Sequence, residues 1–212
     1  MPRDSSPEFG IPHRKLYVSS EAKAAREAEN GLIQFDQISH LIKEWKSVLR
    51  LDAQVIKDLH HTAIHGIYEC AGEFRTGYVG IGASKHVPPK SKDVSSLVDE
   101  MCEYANAKQG PDGDAIHVAA YLLWRLNWIH PFFGGNGRTS RAVSYLALCT
   151  CFGMELPGTN TIVHQIVERS SDYYAALEAA DSAIATDDGA VNVGQMESLV
   201  SDMLVTQLEQ AI

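Results

Sequence analysis

The chain has 212 residues, 45% of them apolar and 21% charged, with a formal net charge of −9. That length buries a sizeable core in one domain, and the composition is that of an ordinary globular protein. The acidic balance argues against a surface made for nucleic-acid backbones, and no apolar run approaches membrane-spanning length, so neither nucleic acid nor a membrane is an expected partner.

In chain order, Met1 to Lys15 carry Pro2, Pro7, Pro12 and Gly10 and read as an extended lead-in without a secretory core. Ser19 or Ser20 caps a helix with Glu21 in its first turn, and Asn30-Gly31 supplies a stop, since both residues tolerate the left-handed conformation. A second helix is expected over Leu32–Leu49 and a third over Leu51–Tyr68, where Val55, Ile56, Leu59, Ala63, Ile64 and Ile67 fall on one stripe. Between Gly72 and Pro89 the glycines and Pro88-Pro89 break the helical pattern, and a short β-hairpin flap is the simplest alternative.

Helix resumes over Ser91–Ala107, and residues 109–114 make a turn. Ala115–Ile129 is the strongest helical pattern, apolar on nearly every side and therefore central. A helix from Arg138 to about Phe152 ends at Gly153, and two more fit Thr161–Ala183, with a break near Ser170, and Val193–Leu208. Cys70, Cys102, Cys149 and Cys151 show neither a CxxC pair nor zinc-ligand spacing, so buried thiols in a reducing compartment are expected. A cytoplasmic location fits, although a bacterial effector exported by another signal would look the same.

The chemistry gathers at His130–Arg141, His-Pro-Phe-Phe-Gly-Gly-Asn-Gly-Arg-Thr-Ser-Arg. Gly135, Asn136 and Gly137 let backbone N–H groups converge, and the helix that follows adds its own unpaired N–H groups, an arrangement that suits phosphate oxygens. Arg138 and Arg141, three apart, lie on one face of the first turn and can reach the same anion. His130, held before Pro131, has the acidity to take a proton from a hydroxyl. Each part alone is an ordinary turn feature. Together they point to transfer of a phosphoryl or nucleotidyl group, and the missing lysine excludes a Walker loop.

These residues resemble the Fic-domain motif, His-Pro-Phe-x-(Asp/Glu)-Gly-Asn-Gly-Arg-x-x-Arg, at His130, Pro131, Phe132, Gly135, Asn136, Gly137, Arg138 and Arg141. Gly72-Glu73-Phe74-Arg75 and His86-Val87-Pro88-Pro89 are similar to the family's flap, and the likeness covers roughly Leu32 to Leu208. It implies an all-α Fic-type core with a short β-hairpin flap, in a domain at 32–212 preceded by a lead-in and inhibitory helix at 1–31. The implied reaction is AMP transfer from ATP to a Ser, Thr or Tyr hydroxyl of a target protein. In it His130 is the base, and Gly135, Asn136, Gly137, Arg138 and Arg141 bind phosphates, with Arg138 also catalytic. Gly80, Ile81 and Gly82 in the flap would hold the target by strand addition.

One position departs from the family. Gly134 replaces the acidic residue that holds Mg²⁺, so metal use and turnover are in question, and a nucleotide-binding module or altered transfer chemistry such as AMP removal is the alternative. Glu29-Asn30 resembles the end of the family's inhibitory motif, with Ala25 in place of its hydroxyl residue, which implies a Glu29–Arg141 pair over the site. His61 and His65 share a helix face, but no third ligand is evident and an exposed face is the expectation.

Overall fold

The computed structural model describes residues 14–82, 84–109, 114–186 and 191–210. Among them lie eight α-helices: α1 Ser20–Trp45, α2 Ala53–Ile64, α3 Val94–Lys108, α4 Ala115–Ile129, α5 Asn136–Phe152, α6 Ile162–Glu168, α7 Ser170–Thr186 and α8 Gly194–Glu209. The expected mostly helical architecture is what forms. Most of the lead-in, residues 1–13, and most of the 109–114 turn lie outside the described residues.

Helix α4 is the axis. Asp114 caps it by accepting the N–H groups of Ile116 and His117, and α3, α5, α7 and α8 pack around it. Surrounded in this way, it has no solvent face to make polar, and Val118–Trp124, Leu126 and Ile129 are all buried. Each of the large aliphatic side chains there contributes about 1.5–3 kcal/mol through burial. Helix α5 lies close against it, close enough for the Ser144 hydroxyl to donate to the Ala119 carbonyl at 2.9 Å. It begins at Asn136, two residues before the sequence expectation, with Gly135 making the left-handed entry.

Helix α1 corrects the expected stop at Asn30-Gly31. It runs unbroken from Ser20 to Trp45, with Asn30 buried inside it. The Asn30 amide donates to the carbonyls of Ala63 and His65, where α2 runs out of internal partners, and Gln34 donates to Leu59 O at 2.7 Å. Those bonds draw Asn30 into the α1–α2 contact, while Gly31 faces open space in a helical conformation. Tertiary contact outweighs the local stop.

Among the described residues of 72–89 no strand pairing forms the expected hairpin. Among the described residues the extended pairing is a single bridge, Lys15 to Tyr68, which binds the lead-in beside the end of α2. No helix there is long and apolar enough to cross a membrane.

Candidate functional site

His130 ends α4 in the left-handed conformation, φ +50°, ψ +57°, and its N–H still reaches Leu126 O. A non-glycine residue there is strained and persists only where its surroundings hold it. Arg75 does much of the holding. Its Nε donates to His130 O at 2.7 Å and its Nη2 to Ile129 O at 3.2 Å, while the Arg75 N–H donates to Pro131 O at 2.8 Å. The same guanidinium donates to Gly77 O and Pro89 O. Arg75 is 2% exposed, burial pulls its pKa below the usual arginine value, and the negative end of the α4 dipole favours its charge.

The His130 ring is buried, and its Nδ1 lies 3.3 Å from Asn127 O. A carbonyl only accepts, so that bond puts the proton on Nδ1 and makes Nε2 the basic nitrogen. Asn127 is fixed in turn, its amide donating to Leu123 O, the Ser140 hydroxyl and the Tyr173 hydroxyl. Burial pushes the Tyr173 phenol up to about 12, with nearby Arg141 acting in the opposite sense.

The loop between the helices is stapled from inside. Phe132 is fully buried, stacked on His60 with ring centroids 3.6 Å apart. The Asn136 side chain clasps the Phe132 peptide, accepting its N–H at 3.0 Å and donating to its carbonyl at 2.8 Å. The Asn136 side chain thus shapes the loop, while the backbone N–H groups of Asn136, Gly137 and Arg138 stand in the first turn of α5. Gly135 is required twice: its φ is +77°, and a Cβ would come within 2.7 Å of Ile64 Cγ2.

His60 was not expected at the site. Its Nδ1 accepts the Gly72 N–H and its Nε2 donates to Gly134 O at 2.9 Å, so one neutral tautomer ties α2, the 72 turn and the loop together. Burial pulls its pKa down to about 3; the bond to Gly134 resists this, and the charges of Arg138 and His61 add to it. The available signal was its place on the apolar stripe of α2, four residues from both Ile56 and Ile64.

Arg138 Nη1 sits 3.2 Å from Glu27 Oε1 and also donates to Ala63 O at 3.3 Å. Arg141 stands one turn on, its Nη1 3.3 Å from where a Gly137 Cβ would lie. The expected Glu29–Arg141 pair is not formed. Glu29 pairs with Arg26 at 2.7 Å and its side chain is 57% exposed. In a continuous α1, Glu27 lies one turn from buried Asn30 and faces the site, whereas Glu29, two residues from Glu27, points nearly opposite.

Gly80, Ile81 and Gly82 lie among residues 77–82 and 84–89, which are irregular, and Ser84 N–H donates to Ile81 O at 2.9 Å. Pro88 and Pro89 bring no N–H, and the loop's ends go to Arg75 instead of to a partner strand. His86 anchors the far side, its Nε2 donating to Trp128 O at 2.7 Å.

The donor set does not fit a protein-held Mg²⁺. Gly134 offers no carboxylate, its carbonyl already accepts from His60, and the Asn136 oxygen accepts from Phe132. Among the described residues no cluster of three His, Cys, Asp or Glu is suited to a metal, and His61, at α2, instead bonds Ala71 O.

Comparison with known proteins finds likeness over part of the chain. Residues 50–148, from the approach to α2 through most of α5, match the Fic/DOC family model. The chain is 36% identical over 96 residues to the protein adenylyltransferase Fic of Drosophila persimilis, covering 45% of this chain and 17% of that one. It thus spans under a fifth of that relative's length. Two solved structures share the fold: a Fic family protein from Desulfovibrio desulfuricans G20 (20% identity, TM-score 0.69, 92% of this chain and 55% of that one) and Fic-1 from C. elegans (21% identity, TM-score 0.69, 92% and 53%).

Proposed function

We propose that the chain transfers AMP from ATP to a Ser, Thr or Tyr hydroxyl of a protein. The observation that carries this reading is the His130 ring, whose Nδ1 bond to Asn127 O makes Nε2 the basic nitrogen, at the head of the loop that leads into α5 and its two arginines. ATP phosphates would lie against the first-turn N–H groups and the Arg138 and Arg141 guanidinium groups. His130 Nε2 takes the proton of the incoming hydroxyl, whose oxygen forms a bond to the α-phosphorus. The bond from that phosphorus to the bridging oxygen breaks, and pyrophosphate leaves with charge that the arginines stabilise. No step is assigned to a protein-bound metal; Mg²⁺ arriving with ATP would be held by phosphate and water. The target segment would rest on Gly80, Ile81 and Gly82. The name of the Drosophila persimilis relative supports the reaction class.

We further infer that Glu27 competes with phosphate for Arg138, which makes α1 an autoinhibitory element through a different glutamate from the one expected. The lead-in at 1–31 and the body at 32–212 share α1, so such regulation must move that helix or its Glu27 side chain. Gly134 and the Glu27–Arg138 pair favour one second reading, a module that binds nucleotide and turns it over weakly or by altered chemistry.

ATP labelled at the α- or the γ-phosphate separates these, with His130→Ala as control. Protein labelling from the α-position, lost in His130→Ala, is the expected result. Labelling from the γ-position alone establishes phosphoryl transfer, and binding without labelling establishes the module.

A further inference from the structure

Loop Gly77–Pro89 has its two ends at one guanidinium: Arg75 Nη1 donates to Gly77 O at 3.0 Å and Nη2 to Pro89 O at 2.5 Å. The Ser91 hydroxyl closes the same neck on Thr76 O at 2.9 Å. The ends of the segment therefore adjoin, as in an Ω-loop, and Arg75 sits at the neck they form. The other edge of that guanidinium grips the carbonyls of Ile129 and His130, the residue that carries the ring. The described structure pairs no carboxylate with Arg75, so backbone carbonyls supply its bonding, and only a planar fork reaches them in several directions at once.

We propose that Arg75 is a positioning residue that locks loop Gly77–Pro89 to the strained peptide of His130, so that a protein segment lying on the loop is held in register with the base. The idea rests on the transferase reading for its consequence, but not for its geometry. His130 holds φ +50° against its own preference, and Arg75 fixes the carbonyls on both sides of that residue's N–H. Release of the fork lets His130 relax toward an ordinary φ and frees the loop together with it. One bond set therefore governs both the aim of the ring and the place of the acceptor. Binding of ATP, on α5 and its arginines, is left largely alone.

The test uses the full chain with Arg75→Lys, which keeps the charge and loses the fork, and Arg75→Gln as a second variant. Three measurements are made: nitrogen NMR of the His130 ring, amide hydrogen exchange, and steady-state transfer. The expected result is a shifted His130 ring signal and exchange in 77–89 faster by about tenfold, with α4 and α5 interiors unchanged. For transfer, kcat falls by about 10²-fold and KM for ATP stays within about twofold. The proposal is overturned if the His130 signal and the 77–89 exchange match the parent, or if exchange rises equally throughout α4, since Arg75 would then be a general prop. Unfolding of both variants overturns it for the same reason. A parent chain that transfers no label refutes the transferase reading alone, because the ring signal and the exchange still decide the role of Arg75.

Discussion

At His60, a single neutral imidazole holds three segments, and its chemistry makes the loop sensitive to acid. The folded-state pKa of about 3 lies below the ordinary value of 6.5. Above pH 6.5 both folded and unfolded chains carry the neutral ring, so its contribution to stability is fully present. As pH falls from 6.5 to 3 the unfolded chain takes up a proton that the folded one excludes, and stability declines by up to about 1.4 kcal/mol per pH unit. Urea unfolding across that window should show this slope, and His60→Gln should flatten it. Gly134 supplies a second prediction at this scale. Its φ is ordinary and a Cβ there would meet only Tyr68 Cε2 at 3.9 Å, so a side chain fits. Gly134→Asp should fold as the parent does and raise Mg²⁺-dependent AMP transfer by about tenfold or more, the low end of what metal charge stabilisation contributes. Equal rates with Mg²⁺ and with chelator in that variant would refute it.

Among the elements, α1 shows how continuity of a helix selects which residue faces a site. The amides of buried Asn30 and half-buried Gln34 fix its rotation against α2, and that rotation presents Glu27 to Arg138 while Glu29 meets Arg26. Glu27→Ala should therefore tighten nucleotide binding, by about three- to tenfold for loss of one half-exposed competing carboxylate. Glu29→Gly should change it by less than about twofold. Calorimetric titration with ATP distinguishes the two, and the reverse ranking would return the inhibitory role to Glu29.

Across the whole molecule, α4 joins the core to the chemistry: its interior packs against four helices, and its C-terminal carbonyls hold Arg75 where the chain turns into His130. Cutting Leu126 back to Ala, at a fully buried position one turn before His130, should cost about 2–5 kcal/mol in denaturant unfolding. A loss below about 1 kcal/mol would mean that the core closes over the cavity and that α4 is less rigid than its burial implies. The four cysteines are unpaired thiols, three of them buried, in line with the sequence expectation.

Much of this protein is legible in its sequence. Ala115–Ile129 is readable to the residue, because a helix apolar on nearly every side needs no knowledge of its neighbours to be placed at the centre. The break near Ser170 and the end at Gly153 follow from local backbone preferences, and the spacing of His130, Arg138 and Arg141 points to anion chemistry. Only tertiary contact decides the rest. The stop at Asn30-Gly31 is absent because the orphan carbonyls of α2 take the asparagine amide. The Asn136 side chain faces inward because the Phe132 peptide needs its bonds. His60 belongs to the site, and Glu27 displaces Glu29 as its acidic neighbour, because of how α1 and α2 are turned against α5. Local sequence encodes which backbone conformations each stretch prefers. Partners for buried polar groups come from segments distant along the chain, and spacing along a single stretch of sequence does not record them.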